Sequence, residues 1–157
     1  MKQSINVFEK GQRALKSLNS LGAYLSKSPV ERSLLHLIYF RVSQINGCAF
    51  CLDMHSKDAR AEGEAEHRLY ALPAFRETPF YSNRERAALA YAESLTKLSP
   101  TGVDEKTYEE VCAQFSEEEL IDLTFAIIAI NSYNRVNIAF PNPQMVGTYA
   151  PGQFATA

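Results

Sequence analysis

The 157-residue chain is 46% hydrophobic and 22% charged, a composition that suits an ordinary folded protein and argues against extensive disorder. Its 16 basic and 18 acidic side chains give a net charge of -2. Neither nucleic acid nor an anionic membrane is therefore expected as the main partner, because either would require a clustered basic surface. The length predicts a single domain over residues 1–157.

The cysteine content and the N-terminus bear on the cellular compartment. No apolar run reaches the roughly 18 residues that a bilayer span needs, and the segment Met1 to Asn6 lacks the apolar core of a signal peptide. Three cysteines, two of them in a Cys-x-x-Cys motif, do not resemble a secreted disulfide framework. We therefore expect a cytoplasmic protein, in which such a pair is more often redox-active or metal-binding.

Apolar spacing and capping residues predict helices along the whole chain, and no segment has the alternation of a β-hairpin. The fold class is therefore expected to be all-α. The expected helices run from about Val7 to Leu25, from Pro29 within a Ser28–Glu31 capping box to Asn46, from Cys48 to Glu62, from Glu64 to Leu72, from a Ser82–Glu85 capping box to Leu98, from Asp104 to Gln114, and from a Ser116–Glu119 capping box to Phe140. Residues 141–157 should then form an extended or poorly ordered tail.

The last predicted helix is apolar around nearly its whole circumference, which is typical of a helix in the middle of a bundle or at a subunit interface. Four polar residues interrupt it: Asn131, Asn134, Arg135 and Asn137. Buried amides and guanidinium groups must be paired, so we expect these residues to tie helices or subunits together. The alternative is a place in a binding pocket.

The stretch from Asn46 to His55 contains the features best suited to chemistry. If a helix begins near Cys48, then Cys51 lies three residues later and His55 four beyond that, so the three side chains share one face. A helix N-terminus, a nearby base and a second thiol all favour the reactive thiolate. One cysteine could attack an oxidant and the other could close a disulfide, which an external reductant would reopen. Because Cys51 can lose its proton to His55, we expect Cys51 to attack and Cys48 to resolve.

Two other interpretations of this trio remain open. The three side chains could ligate a structural zinc ion, although no fourth ligand stands out, since His36 and His67 lack motif spacing. The two thiols could also be buried and inert. Outside the trio, His67 is expected to be a solvated helix residue and Cys112 a small core residue.

The stretch from Arg41 to His55 resembles the cysteine-centred signature of the alkylhydroperoxidase D-like branch of the carboxymuconolactone decarboxylase family. The resemblance extends from about Ser28 to Phe140 and continues through Lys57-Asp58-Ala59-Arg60, Arg84 to Ala90 and the Asn134-Arg135 pair. It implies an all-helical fold, assembly into homotrimers or homohexamers, and a peroxidase-type activity in which paired cysteines reduce hydroperoxides. By position, Cys51 matches the attacking cysteine, Cys48 the resolving one and His55 the relay histidine.

Two positions depart from the pattern of this family. Its best-known members begin the proton relay with a glutamate twelve residues before the first cysteine, where this chain has His36, and some place a further histidine where this chain has Phe50. A carboxylate orients His55 and stabilises its cation, whereas a second imidazole does so poorly. His36 nevertheless remains a candidate base or hydrogen-bond partner in the site.

The resulting hypothesis is a cytoplasmic, all-α homo-oligomer that acts as a thiol-dependent reductase of organic hydroperoxides or hydrogen peroxide. It needs no haem, flavin or metal, but it requires an external dithiol or a reducing protein. The alternative is a non-catalytic redox sensor or interaction module, in which oxidation of the cysteine pair changes assembly. Lactone decarboxylation, which the family name suggests, gives no reason for a cysteine pair.

Overall fold

The computed structural model describes residues 5–154, and within this range the regular structure is helical, as predicted. Its elements are α1 (Val7–Lys10), α2 (Gln12–Leu25), α3 (Arg32–Asn46), α4 (Ala49–Ala61), α5 (Glu66–Ala71), a 3-10 segment (Leu72–Glu77), α6 (Asn83–Thr96), α7 (Glu105–Cys112), α8 (Glu117–Ala139) and a 3-10 turn (Pro143–Met145). The all-α prediction is confirmed. No helix of this described part is both long and apolar enough to cross a bilayer.

Helix α3 forms the centre of the bundle, because it packs against α4, α6 and α8. Its Leu37, Ile38 and Val42 are fully buried, as the apolar run in this segment predicts. They join Leu89 of α6 and Leu123 of α8 in one hydrophobic core. This central position brings the N-terminal half of α4 and the C-terminal half of α8 together beside the same helix.

Helix α8 is buried on one side only. Leu123 and Ile127 face the core, whereas Ile121, Phe125 and Ile128 are exposed. These three residues are spaced four and three apart and so lie along one stripe of the helix. The sequence predicts that α8 lies in the middle of a bundle or at a subunit interface. Within a single chain this stripe of α8 is covered by no other helix of the described residues.

The start of α3 differs from the sequence-based expectation. The predicted capping box at Ser28 does not form, and α3 begins at Arg32 with no side-chain cap. Ser28 Oγ accepts instead from the backbone N–H of Val30 at 3.2 Å, and the Glu31 carboxylate accepts two hydrogen bonds from Arg84 of α6. Glu31 is therefore engaged by a neighbouring helix and does not fold back on its own.

The other two predicted capping boxes are confirmed. Ser82 and Glu85 bond reciprocally at the start of α6, and Ser116 and Glu119 do so at the start of α8. The first predicted helix is divided into α1 and α2 at Gly11. A Cβ at that glycine would lie 2.7 Å from the carbonyl oxygen of Val7, so the break requires a residue without a side chain.

The expectation of an extended or poorly ordered tail is wrong for residues 141–154, and residues 155–157 of that tail lie outside the described range. The chain folds back onto the outer face of α4. Tyr149 is buried there, and its hydroxyl donates to Asp58 Oδ1 at 2.8 Å. Lys57 Nζ donates to the Tyr149 carbonyl at 3.1 Å, and the Tyr149 ring meets Phe50 edge to face. Aromatic and polar contacts across more than ninety residues of sequence therefore hold the tail.

Candidate active site

The turn between α3 and α4 positions both cysteines. Helix α3 ends at Gly47, whose φ of 69° is a left-handed conformation that favours glycine. The chain then reverses, and Cys48 becomes the N-cap residue of α4. Its sulfur accepts a hydrogen bond from the backbone N–H of Cys51 at 3.3 Å. The predicted placement of the Cys-x-x-Cys motif at a helix N-terminus is confirmed, and this position favours a negatively charged sulfur.

Cys48 and Cys51 form a disulfide, with their Cα atoms 5.3 Å apart. Their exposed fractions are 2% and 0%, respectively, so the protein covers both sulfurs. The geometry therefore contains the oxidised member of a dithiol–disulfide pair, as the sequence interpretation required.

Asn137, on α8, contacts the disulfide. Its Nδ2 donates to Cys51 Sγ at 3.6 Å and to the Tyr133 carbonyl at 2.9 Å. Asn137 therefore contacts the cysteine pair itself, and it lines neither of two clefts found in the described chain. Arg135, by contrast, is exposed and bonds within its own helix, to Asn131.

The remaining amides tie α3 to α8, as expected. Asn46 Nδ2 donates to Asn131 Oδ1 at 3.0 Å and to Asn134 Oδ1 at 2.9 Å. Asn134 Nδ2 donates in turn to Ser43 Oγ at 3.1 Å, and Asn131 Nδ2 donates to Thr96 Oγ1 of α6 at 3.0 Å. We call this group the amide cluster. It holds α8 against α3 close to the turn that contains Cys48.

His55 lies one helical turn after Cys51 and is buried beside the ring of Tyr39, with the ring centroids 5.2 Å apart. Neither of its ring nitrogens has a hydrogen-bond partner in the part of the chain that the structure describes. Burial, with a further contribution from the charge of nearby His36, lowers the pKa of His55 to about 3. With the disulfide closed, this imidazole is therefore neutral at physiological pH.

His36 approaches a carboxylate that the sequence interpretation missed. Its Nε2 lies 3.0 Å from Glu62 Oε2, although the approach is too bent for a hydrogen bond. Both residues line an open cleft of about 400 Å³ beside Ala59 and Arg68. Glu62 could have been suspected from its spacing, because it lies seven residues after His55 and so on the same face of a helix.

The other candidates lie outside this arrangement. His67 is exposed and packs edge to face on Phe80, which agrees with the prediction of a solvated residue. The expectation that Cys112 is a core residue is wrong, because this thiol is exposed at the last turn of α7. Within residues 5–154, no group of three or more His, Cys, Asp or Glu side chains is arranged to hold a metal ion.

An all-helical bundle with a buried disulfide at a helix N-terminus and an imidazole one turn further on defines a class of helical thiol–disulfide proteins. Residues 11–94 match the model of the carboxymuconolactone decarboxylase family. The chain belongs to this family, in its alkylhydroperoxidase D-like branch.

Three similar proteins illustrate this relationship. The uncharacterized protein YdfG of Bacillus subtilis is 41% identical over 142 residues, which cover 90% of this chain and 97% of YdfG. A protein of unknown function from Agrobacterium tumefaciens, described with a suggested AhpD role in antioxidant defence, has a TM-score of 0.84 at 40% identity over 88% of this chain and 95% of its own. A variant of the debrominase Bmp8 bound to 2,3,4-tribromopyrrole has a TM-score of 0.75 at 25% identity, over 85% and 71% of the two chains.

Proposed function

We propose that the protein is a thiol-dependent hydroperoxide reductase whose Cys48–Cys51 pair cycles between dithiol and disulfide. The observation that best supports the proposal is the disulfide at the N-terminus of α4, with His55 one turn beyond it. The helix terminus favours a thiolate, and the imidazole is a base within the same turn of helix. The suggested antioxidant role of the Agrobacterium relative agrees with this chemistry.

Cys51 is the attacking residue in this proposal. Its thiolate attacks the terminal oxygen of a hydroperoxide, the O–O bond breaks, and the alcohol leaves with one proton, so that Cys51 becomes a sulfenic acid. The Cys48 thiol then displaces water from this sulfenic acid and forms the disulfide. Two thiols and one hydroperoxide thus give one disulfide, one alcohol and one water. Asn137 supports this assignment, because its amide donates to Cys51 Sγ, where negative charge is present before attack.

Regeneration requires an external dithiol or a reducing protein, which reopens the disulfide by thiol exchange. We infer a cytoplasmic location, since reductants of this kind maintain thiols there. We further propose a homotrimer or homohexamer. The exposed apolar stripe of Ile121, Phe125 and Ile128 on α8 supports assembly, because monomers seldom leave such a row uncovered.

The experiment that tests the function combines stoichiometric oxidation with turnover. Reduced protein is treated with one equivalent of an organic hydroperoxide, free thiols are counted, and mass spectrometry locates any disulfide. We expect two thiols to disappear into a Cys48–Cys51 bond and expect sustained turnover when a dithiol is supplied. Cys51→Ser should abolish oxidation, and Cys48→Ser should stop at a sulfenic acid. Cys112→Ser is the matched control and should behave as wild type. Persistence of both thiols in the wild type would refute the proposal.

A second candidate function is a redox sensor that oxidises once and changes its assembly. The observation that favours it is the near-complete burial of both sulfurs, which restricts repeated access by an external reductant. A sensor would give a single disulfide with no turnover, together with a change in oligomeric state on oxidation. The turnover assay and size-exclusion chromatography therefore separate the two functions.

The likeness to debrominase Bmp8 suggests a further acceptor for the same two electrons. Two thiols can reduce a carbon–bromine bond with formation of a disulfide, a carbon–hydrogen bond and hydrogen bromide. The assay therefore includes 2,3,4-tribromopyrrole beside the hydroperoxide. Faster thiol loss with the brominated ring than with the peroxide would identify dehalogenation as the principal reaction.

A further inference from the structure

One face of α4 connects the disulfide to the cleft. Cys51, His55, Ala59 and Glu62 are spaced four, four and three residues apart, so they follow one another along a single stripe of the helix. The first three are buried, and the side chain of Glu62 is 34% exposed. The stripe therefore runs from a covered sulfur to a carboxylate at the edge of solvent.

Glu62 is held at an unfavourable end of its helix. It is the C-cap residue of α4, where the helix dipole disfavours a negative charge. Two side chains of α3 offset this cost: Arg32 approaches Glu62 Oε1 at 2.6 Å, and His36 Nε2 approaches Oε2 at 3.0 Å. Arg32 is 73% exposed, so its ion pair is screened by water. The contact to His36, whose side chain is 11% exposed, lies deeper in the protein.

Glu62 and His36 share a cleft that is open to water. Glu62, His36 and Ala59 all line it, and the small side chain of Ala59 lies between Glu62 and His55 along the stripe. The charge of His36 also contributes to lowering the pKa of His55, so the two imidazoles interact electrostatically. From solvent to sulfur the stripe therefore runs through Glu62, Ala59, His55 and Cys51, and His36 of α3 lies beside its solvent end at Glu62.

We propose that Glu62 is a positioning residue for the thiol chemistry, one that orients His36 and completes a proton route between Cys51 and the water in the cleft. The inference rests on the proposed function. In this route the Cys51 proton passes to His55, crosses to His36 through an intervening water, and leaves at Glu62; the reverse path returns a proton to the departing alkoxide. The Glu62 carboxylate lies 3.0 Å from Nε2 and can accept a hydrogen bond from it after a small rotation of either side chain, which leaves Nδ1 of His36 as the acceptor.

Other charged groups around the cleft are already paired. Arg68 donates to Glu64 at 2.7 Å and also pairs with Glu85. The charges of Arg68 and Glu64 are therefore offset by each other and act only weakly on His36. Arg32 is engaged by Glu62 itself, and the group that packs on His55 from α3 is the neutral phenol of Tyr39. Among the groups facing His36, Glu62 is therefore the carboxylate whose removal should alter the proton route.

The first test compares Glu62→Gln with Arg32→Gln, which removes the surface ion pair but keeps the carboxylate. Reduced proteins are mixed with hydroperoxide in a stopped-flow instrument from pH 5 to 9. We expect Glu62→Gln to slow oxidation about tenfold, because His36 loses the carboxylate beside its Nε2, and to displace the pH profile. Arg32→Gln should retain the wild-type profile. Equal effects of the two substitutions would mean that Glu62 only joins α3 to α4, and no effect of Glu62→Gln would also overturn the proposal.

The second test is a rescue and a readout without peroxide. His36→Glu combined with Glu62→Gln moves the carboxylate from α4 to α3 and should recover most of the lost rate, whereas a purely structural ion pair would not be restored. The oxidation rate of Glu62→Asp, which keeps the charge, should fall between those of wild type and Glu62→Gln, and this variant serves if Glu62→Gln folds poorly.

A readout without peroxide is the rate at which iodoacetamide modifies Cys51, followed by peptide mass spectrometry across the same pH range. The pH dependence of this rate should shift in Glu62→Gln. If the wild type does not react with peroxide, the proposed function fails, but this modification profile still decides the role of Glu62.

Discussion

Two groups of buried polar side chains flank α3, and they differ in how completely they are paired. The amide cluster toward α8 is neutral, and the side-chain amides of Asn46, Asn131 and Asn134 all bond across helices. The imidazole pair toward α4, His36 and His55, has no hydrogen-bond partner on its ring nitrogens within residues 5–154. A satisfied polar group thus lies between α3 and α8, and an unsatisfied one lies between α3 and α4.

This difference separates groups that hold the fold from groups suited to chemistry. A buried polar atom without a partner costs about 1–3 kcal/mol, so the imidazole pair lowers stability where apolar residues would not. An imidazole can gain and lose a proton, whereas a side-chain amide does not titrate near neutral pH. We therefore expect substitutions in the amide cluster to affect folding and substitutions in the imidazole pair to affect reactivity.

The largest effect should follow loss of the His55 imidazole. His55→Leu removes the base beside Cys51, and we expect the rate of oxidation by hydroperoxide to fall about 100-fold or more. The free energy of unfolding should not fall and should rise by about 1 kcal/mol or more, because an apolar side chain of similar volume replaces an unsatisfied polar ring. Stopped-flow oxidation and urea denaturation measure the two quantities. His67→Leu, at an exposed position, is the control, and a large loss of stability in His55→Leu would contradict the distinction between the two groups.

The opposite pattern is expected in the amide cluster. Asn134→Ala removes the donor to Ser43 and one of the two acceptors of Asn46, and it opens a cavity at a fully buried position, so the free energy of unfolding should fall by about 2–3 kcal/mol. The oxidation rate of the protein that remains folded should stay close to wild type. Urea denaturation followed by circular dichroism measures the loss, and Asn142→Ala, at an exposed position, supplies the baseline. A rate defect without a stability defect would reverse the assignment.

The sequence predicted the parts of this arrangement that depend on local spacing. The position of Cys48 at the start of α4 follows from Gly47 and the three-residue interval to Cys51, and the pairing of Asn134 follows from an amide in an apolar helix. The contact between Glu62 and His36 joins two helices, and no local pattern specifies which face of α4 meets α3. For the same reason the engagement of Glu31 by Arg84, which prevents the first capping box, was not foreseen.

The His55 pKa predicts how the oxidised protein responds to acid. The folded-state pKa of about 3 lies below the ordinary value of 6.5, so between these limits the unfolded chain binds a proton that the folded protein does not. This contribution to stability is fully present above pH 6.5 and is lost as the pH falls toward 3, with a slope of up to about 1.4 kcal/mol per pH unit. Urea denaturation at several pH values measures the slope. It should be shallower in His55→Leu, and an unchanged slope in that variant would place the titration elsewhere.

The smallest effect is expected on the outer face of α4, away from both polar groups. Burial, followed by Asp58, raises the pKa of Tyr149 to about 12, so the phenol remains protonated and donates to that carboxylate. Tyr149→Phe keeps the ring contact with Phe50 but leaves Asp58 without this donor, which should lower stability by about 1 kcal/mol and speed proteolysis of the tail. Tyr70→Phe, at an exposed position, should change neither. The tail contacts neither histidine in these interactions, so the peroxide oxidation rate of Tyr149→Phe should equal that of wild type. A slower rate would mean that the outer face of α4 also controls the disulfide, and that reactivity is not confined to the face of α4 that carries Cys51 and His55.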